Sequence, residues 1–237
     1  METNTLPDLK IVFLRSSILI MIVHHFGEGN SLLNQFIAEI RDVEIQKDAM
    51  RFRRNIERIG EILSYELSKS LNYQGTVVKT PFGSKEMSLP TDRLVLCSVL
   101  RAGLPLHQGM LNYFDGSENA FISAYRHHRG DEDAFEVIVK YFAAPSLAGK
   151  TLVLTDPMLA TGKTLENVFK SLKEHGEPKQ IHILSVIGSK AGIEHIKKVF
   201  PENTHLWIAA IDEKLNNRGY ILPGIGDAGD LAFGEKL

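Results

Sequence analysis

Five short apolar runs rich in Val, Ile and Leu alternate with helical stretches from about residue 94 onward, and this alternation limits the fold more than any other feature of the chain. The runs cover residues 94–99, 120–125, 152–155, 181–187 and 206–211. They carry apolar side chains on both faces, the pattern of strands buried between two layers. Between them lie three helical candidates, residues 104–114, 165–175 and 191–199. Strand and helix in alternation predict an α/β fold with a mostly parallel sheet flanked by helices. Ligands of such folds collect at the carboxyl ends of the strands, so function is to be sought in the loops there.

The N-terminal third reads differently. Residues 30–71 look helical, with Phe52, Ile56, Ile59, Leu63 and Leu67 recurring at intervals of three and four. Arg51, Arg53, Arg54 and Arg58 are interspersed. They are either the solvated flank of an amphipathic helix or groups that reach a phosphate or a neighbouring subunit, and the pattern leaves both open. Residues 80–90 read as turns, and residues 134–142 as a strand-like β-arm beside the site, preceded by the polar stretch 127–133. The apolar run 11–23 contains Arg15 and is too short to span a membrane or to direct export. Residues 1–20 therefore read as an N-terminal extension that need not be native, ahead of a single domain at 21–237.

Composition excludes more than it assigns. With 27 Lys+Arg against 29 Asp+Glu, 43% apolar and 24% charged residues, the chain is an ordinary globular protein with no bulk affinity for polyanions. A local cluster of positive charge around a phosphate remains compatible with that balance. The single cysteine, Cys97, rules out an intrachain disulfide and any multi-cysteine metal site, and its apolar neighbours predict an inert core thiol. A cytoplasmic location is expected. Two histidine pairs, His24-His25 and His127-His128, are unsuited to chelation because adjacent side chains diverge, and both read as surface or loop residues.

The segment TLVLTDPMLATGKTLENVFKSLKEHG, residues 151–176, carries the strongest chemistry. A buried strand runs to Asp156, a loop of small residues follows, and a helix with Leu165, Val168, Phe169 and Leu172 on its inner face begins near Thr164. The unpaired amides of a first helical turn, and the positive end of the helix dipole, favour an anion in such a loop. Thr161 and Thr164 add hydroxyl donors, and Gly162 permits close backbone approach. Asp156 can accept hydrogen bonds from two adjacent ribose hydroxyls, so the loop suits a ribose 5-phosphate. Gly162-Lys163-Thr164 is not a Walker A loop, because that pattern needs glycine where Pro157 stands.

DPMLATGKT resembles the phosphoribosyl pyrophosphate (PRPP) signature of the type I phosphoribosyltransferases, and in detail that of the uracil-specific branch, with Thr155 before a single acid. The resemblance implies that Asp156, Pro157, Met158, Leu159, Ala160, Thr161, Gly162, Lys163 and Thr164 bind PRPP. Lys163 departs from the family, which commonly has a second glycine or a small residue there. Leu100-Arg101-Ala102-Gly103-Leu104 and Tyr125-Arg126 are also similar to family segments. By that likeness Arg101 binds PRPP and Arg126 holds pyrophosphate or its magnesium complex, roles that suit a permanently charged planar fork.

Five glycines fall within LNNRGYILPGIGDAGDLAFG, residues 215–234, which argues against ordinary secondary structure and for a backbone folded around a small planar ligand. Uracil presents an acceptor-donor-acceptor edge that peptide groups can match. Residues 220–230 closely resemble the family's uracil-binding segment, which implies backbone contacts from Ile221, Gly226, Asp227 and Ala228 and places Asp227 near PRPP.

The likeness extends over residues 30–237. It implies transfer of the 5-phosphoribosyl group from PRPP to N1 of uracil, giving UMP and pyrophosphate, with Asp156, Arg126 and Asp227 as catalytic residues. It further implies Mg²⁺ carried on PRPP rather than in a protein-only site, a homodimer or higher oligomer, and GTP as a candidate effector, with neither DNA nor a membrane as partner. Two alternatives are an RNA-binding pyrimidine regulator on the same fold and a silent paralogue in which Lys163 disturbs the phosphate loop. Such a regulator needs an exposed basic face, which a net charge of −2 disfavours.

Overall fold

The computed structural model describes residues 21–128 and 135–236. It opens with a strand that periodicity does not reveal, β1 (Ile22–His25). Two helices follow, α1 (Leu32–Arg41) and α2 (Ala49–Ser68), separated by a 3-10 turn at Ile45–Lys47. The break within the expected 30–71 helix has a local cause. Asp48 is the N-cap of α2 and accepts from the amides of Met50 and Arg51, so the chain restarts there instead of continuing.

Residues 80–90 are corrected from turns to strand. They belong to a hairpin of β2 (Tyr73–Thr80) and β3 (Gly83–Pro90), paired in register from Tyr73↔Pro90 to Thr80↔Gly83. Every residue of both strands is exposed, so no apolar face is turned to a core and the period-two signal on which strand recognition depends is lost.

The five expected strands form as β4 (Leu94–Leu100), β5 (Glu118–His128), β7 (Thr151–Thr155), β9 (Gln180–Ser189) and β10 (His205–Asp212). The helices are α3 (Leu104–Leu111), α4 (Lys163–Leu172) and α5 (Lys190–Val199). The arm is β6 (Phe135–Ala143), antiparallel to β5, and the short β8 (Met158–Leu159) pairs with β9. The sheet runs β1-β10-β9-β7-β4-β5-β6 and is parallel throughout except at β6.

Helices cover both faces. One core joins Leu96, Val153, Leu184 and Trp207 of the sheet to Ile59, Leu63 and Leu67 of α2 and Leu106 of α3. The other joins Val95, Leu152, Ile183 and Leu206 to Leu165, Val168 and Leu172 of α4 and Ile193 and Ile196 of α5. Ile59, Leu63 and Leu67 are fully buried, each contributing about 1.5–3 kcal/mol by the usual transfer scale. Cys97 is buried as expected, and burial pushes its thiol up to about 12.

The histidine pairs are corrected too. His24 and His25 lie on β1, where His24 stacks on Trp207 with ring centroids 3.8 Å apart and its Nε2 lies 3.1 Å from His205 Nδ1. Behind them His182 accepts from Trp207 Nε1, and burial pushes its pKa down to about 3. His127 and His128 fall on β5 rather than in a loop. Residues 1–20 lie outside the described residues.

Two short strands, β11 (Lys214–Leu215) and β12 (Ile221–Leu222), and a final helix, α6 (Ala228–Phe233), occupy the glycine-rich segment. The expectation of no regular structure there is corrected. Asp227 supplies the reason, capping α6 by accepting from the amides of Gly229 and Asp230.

Candidate active site

The strand β7 ends at Thr155, whose hydroxyl is spent on the Cys97 carbonyl, leaving Asp156 as the single carboxylate at the strand end. The residues after it are tied to β9. The Asp156 amide donates to Leu184 O, Ser185 Oγ donates to the Asp156 carbonyl, and the amides of Val186 and Ile187 donate to the Pro157 carbonyl. Asp156 Oδ1 accepts from the Met158 amide at 3.1 Å, which fixes the carboxylate at the mouth of the loop.

Asp156, Met158, Leu159, Ala160, Thr161, Gly162 and Thr164, with Leu165, line one open hollow. Pro157 and Lys163 are not among its lining residues. Pro157 is buried behind it, and Lys163 is exposed as the first residue of α4. Gly162 caps that helix at φ +78°, a left-handed conformation that side chains disfavour, and its carbonyl accepts the first helical bond, from Glu166 N. The Lys163 amide donates to Thr161 Oγ1 at 3.4 Å, and Thr164, in the first turn of α4, lines the hollow, at the helix end that favours an anion.

The rear of the loop rests on α5. Ser189 Oγ donates to the Ala160 carbonyl at 2.6 Å and accepts from Gly192 N. His195 pairs with Glu166 at 2.7 Å, and a Cβ on Gly162 would stand 3.0 Å from the His195 ring. No non-glycine described residue has a positive φ, so Lys163 sits in the loop without backbone strain. That removes the physical ground for a loop disabled by lysine.

Arg101 stands at the carboxyl end of β4, after a cis Leu100-Arg101 peptide. Its Nη2 donates to Asp230 Oδ1 at 2.9 Å and to the Gly234 carbonyl at 3.0 Å. An expected PRPP residue thus reaches α6, beside the expected uracil segment. Arg126 falls on β5 opposite Val137, where only the backbone is described.

In the segment expected to hold uracil, Ile221 is buried on β12, the Leu222-Pro223 peptide is cis, and Gly224 and Gly226 take φ +66° and +82°. Asp227 and Ala228 form the junction with α6, and Lys236 Nζ lies 3.5 Å from Asp227 Oδ2. Among the described residues, no group of three or more His, Cys, Asp or Glu converges to hold a metal ion.

A family model described as uracil phosphoribosyltransferase matches residues 28–235, which takes in both loops. The chain belongs to the uracil phosphoribosyltransferase family. Among relatives bearing that name, one from Porphyromonas gingivalis is 52% identical over 217 residues, covering 92% of this chain and all of the relative. Another, from Thermococcus gammatolerans, is 37% identical over 213 residues, covering 89% of this chain and 92% of the relative. The solved AQ2163 protein from Aquifex aeolicus superposes with a TM-score of 0.80 at 27% identity, covering 91% of this chain and 100% of that one.

In this member of the uracil phosphoribosyltransferase family, sequence reasoning missed the residues that hold the base loop. Arg41, at the end of α1, donates to both carboxylate oxygens of Asp212 at 2.9 Å each and to the Gly224 carbonyl at 3.1 Å. Gly224 N in turn donates to Asp212 Oδ2 at 2.9 Å. Burial alone would raise the Asp212 carboxyl, but Arg41 and the Gly224 amide hold it below its ordinary value. Arg53, left open between solvent and phosphate, does neither. It donates to the Ala232 carbonyl at 2.6 Å and lies over the Phe233 ring. The other arginines of that helix pair within the N-terminal region, Arg51 with Glu39, Arg54 with Glu57 and Arg58 with Asn55. Arg41 and Asp212 lie 171 positions apart, so no spacing rule could have paired them.

Proposed function

We propose that the chain transfers the 5-phosphoribosyl group of PRPP to N1 of uracil, forming UMP and releasing pyrophosphate. The observation that carries this reading is the pairing of a phosphate hollow after β7 with a glycine-rich loop after β10 in one parallel sheet. Ligands of such sheets gather at those strand ends. The first-turn amides of α4 with Thr161 and Thr164 hold the 5-phosphate, and Asp156 accepts from the ribose hydroxyls. The backbone of residues 157–160 closes the loop, and Lys163 adds charge at its rim. Arg101 and Arg126 take the pyrophosphate, where a planar fork matches phosphate oxygens.

Uracil lies against the backbone of Ile221, Gly226, Asp227 and Ala228. The N1–C1 bond forms as the C1–O bond to pyrophosphate breaks, and the N1 proton passes to Asp227. The rate comes chiefly from positioning and exclusion of water. Mg²⁺ bound with PRPP would neutralise charge on the pyrophosphate, whose oxygens Arg101 and Arg126 hold. The strand end fits that assignment, since one carboxylate and hydroxyl donors suit a sugar phosphate better than a bare cation.

The protein acts as a homodimer in the cytoplasm. The hairpin supports the first point: residues 73–90 are all exposed, and Val77, Phe82, Met87 and Leu89 are too apolar for a hairpin meant only for water.

Incubation with PRPP, Mg²⁺ and radiolabelled uracil should yield labelled UMP, with hypoxanthine and cytosine failing as acceptors. Retention of RNA on a filter with no UMP formed would turn the reading toward a regulator.

A further inference from the structure

The geometry points to Arg41 and Asp212 as positioning residues that set the shape of the uracil-binding loop, an inference that rests on the proposed assignment of that loop to uracil. One charged pair holds Gly224 on both sides. Asp212 takes the amide of the Pro223-Gly224 peptide, and Arg41 takes the carbonyl of the Gly224-Ile225 peptide. Two successive peptide planes are therefore fixed, lying between Ile221 and Gly226, two of the proposed base contacts.

Fixing those planes matters because uracil offers no charge to grip. Its recognition depends on which way each backbone amide and carbonyl faces, and a rotated peptide would present a donor where an acceptor is needed. Gly224 cannot hold its own orientation: glycine populates left- and right-handed regions about equally. The constraint has to come from outside the loop, and the pair provides it from two elements of the scaffold, the end of α1 and the end of β10.

The environment makes the constraint stiff. Asp212 is 8% exposed and Arg41 25%, so the pair is shielded from water and salt far more than a surface bridge. Their bidentate geometry restricts the guanidinium plane, and with it the direction of the third bond to Gly224. Removing one partner leaves the other buried without its counter-charge, and the loop loses the register of both peptides at once.

The test is steady-state kinetics with each substrate varied in turn, on wild type, Asp212→Asn, Arg41→Gln and Arg41→Lys, with thermal melting beside it. For Asp212→Asn and Arg41→Gln we expect the KM for uracil to rise about tenfold or more, with the KM for PRPP within about twofold of wild type. Arg41→Lys should rescue part of the loss, since an ammonium can meet the carboxylate but cannot also span both of its oxygens and the Gly224 carbonyl. If Asp212→Asn fails to fold, the arginine variants decide. Equal rises in both KM values, or an unchanged KM for uracil in a folded variant, would overturn the assignment. So would unfolding of even Arg41→Lys, which would make the pair a folding element. A wild-type chain that makes no UMP overturns the uracil reading and the clamp together, whereas wild-type activity with unsplit KM values overturns the clamp alone.

Discussion

The proposed phosphate loop and the proposed base loop follow strands of the same sheet, yet they are held by opposite means. The phosphate loop is local. Asp156 to Thr164 is one strand-loop-helix unit, stitched to β9 by backbone bonds and backed by the first turns of α5. The base loop is remote in its support. Its segment from Ile221 to Phe233 is fixed by Arg41 and Arg53 of the N-terminal helices, by Arg101 after β4 and by Asp212 at the end of β10. A fold can give a highly charged ligand a rigid, self-contained cradle and leave a small neutral one to a loop whose form the rest of the molecule dictates. Changes in the first should stay with PRPP, and changes around the second should reach uracil from a distance.

The largest expected effect lies in the local loop. Asp156→Asn should lower kcat/KM for PRPP by about 100-fold, the scale of a lost charge-assisted hydrogen bond at the ribose, with the melting temperature unchanged. Asparagine keeps the oxygen that accepts from the Met158 amide, so that bond of the loop is retained. Near-wild-type kcat/KM would remove Asp156 from the site.

Arg101 is where the two regions meet, and it offers the sharpest way to break the contrast. Arg126→Ala should raise the KM for PRPP by about tenfold and leave uracil alone. Arg101→Ala should do the same to PRPP but also weaken uracil by roughly threefold, because α6 loses the bonds to Asp230 and Gly234. If Arg101→Ala changed only the KM for uracil, its place on PRPP would be wrong.

These differences explain what was legible in advance. The five strands, the phosphate loop and Gly162 announce themselves through runs of neighbours, and local physics suffices for them. The hairpin of Tyr73–Thr80 and Gly83–Pro90 did not, because strands exposed on both faces carry no apolar alternation. β1 was hidden by its two histidines, of which His24 stacks on Trp207 and His25 pairs with Glu28. α6 was hidden by glycines that signal turns, although Asp227 is an N-cap visible in the sequence. The Arg41-Asp212 pair had no signal at all, since a long-range ion pair exists only once the chain has folded.

The glycines test the contrast from inside each loop. Gly162→Ala and Gly224→Ala each place a Cβ at a positive φ, worth roughly 1–2 kcal/mol of stability. The first presses on His195 and the second on the Ile221 carbonyl. Gly224→Ala should cost more stability, because its Cβ meets backbone, and the kinetic signatures should be opposite, a raised KM for PRPP from Gly162→Ala and a raised KM for uracil from Gly224→Ala. A shared signature would mean that the loops move as one unit.

Lys163 gives the smallest effect and the most local. It is the first residue of α4 and carries no positive φ, so Lys163→Gly relieves no strain. Removing a cation from the positive end of a helix gains about 0.3–1 kcal/mol, while glycine in the first turn loses roughly 0.5–1 kcal/mol of backbone order. These two terms nearly cancel, so any larger shift in the melting temperature of the ligand-free protein reports the contacts of the lysine side chain itself. Binding is different, because an anion in the hollow turns the unfavourable charge into an attraction. PRPP affinity should fall by about threefold at low salt, and the difference should fade as the Debye length shrinks. Uracil, neutral and held by the other loop, should not register the change. A glycine variant that bound PRPP more tightly at every salt concentration would make Lys163 an obstruction, and the silent-paralogue reading would then be the better account of this loop.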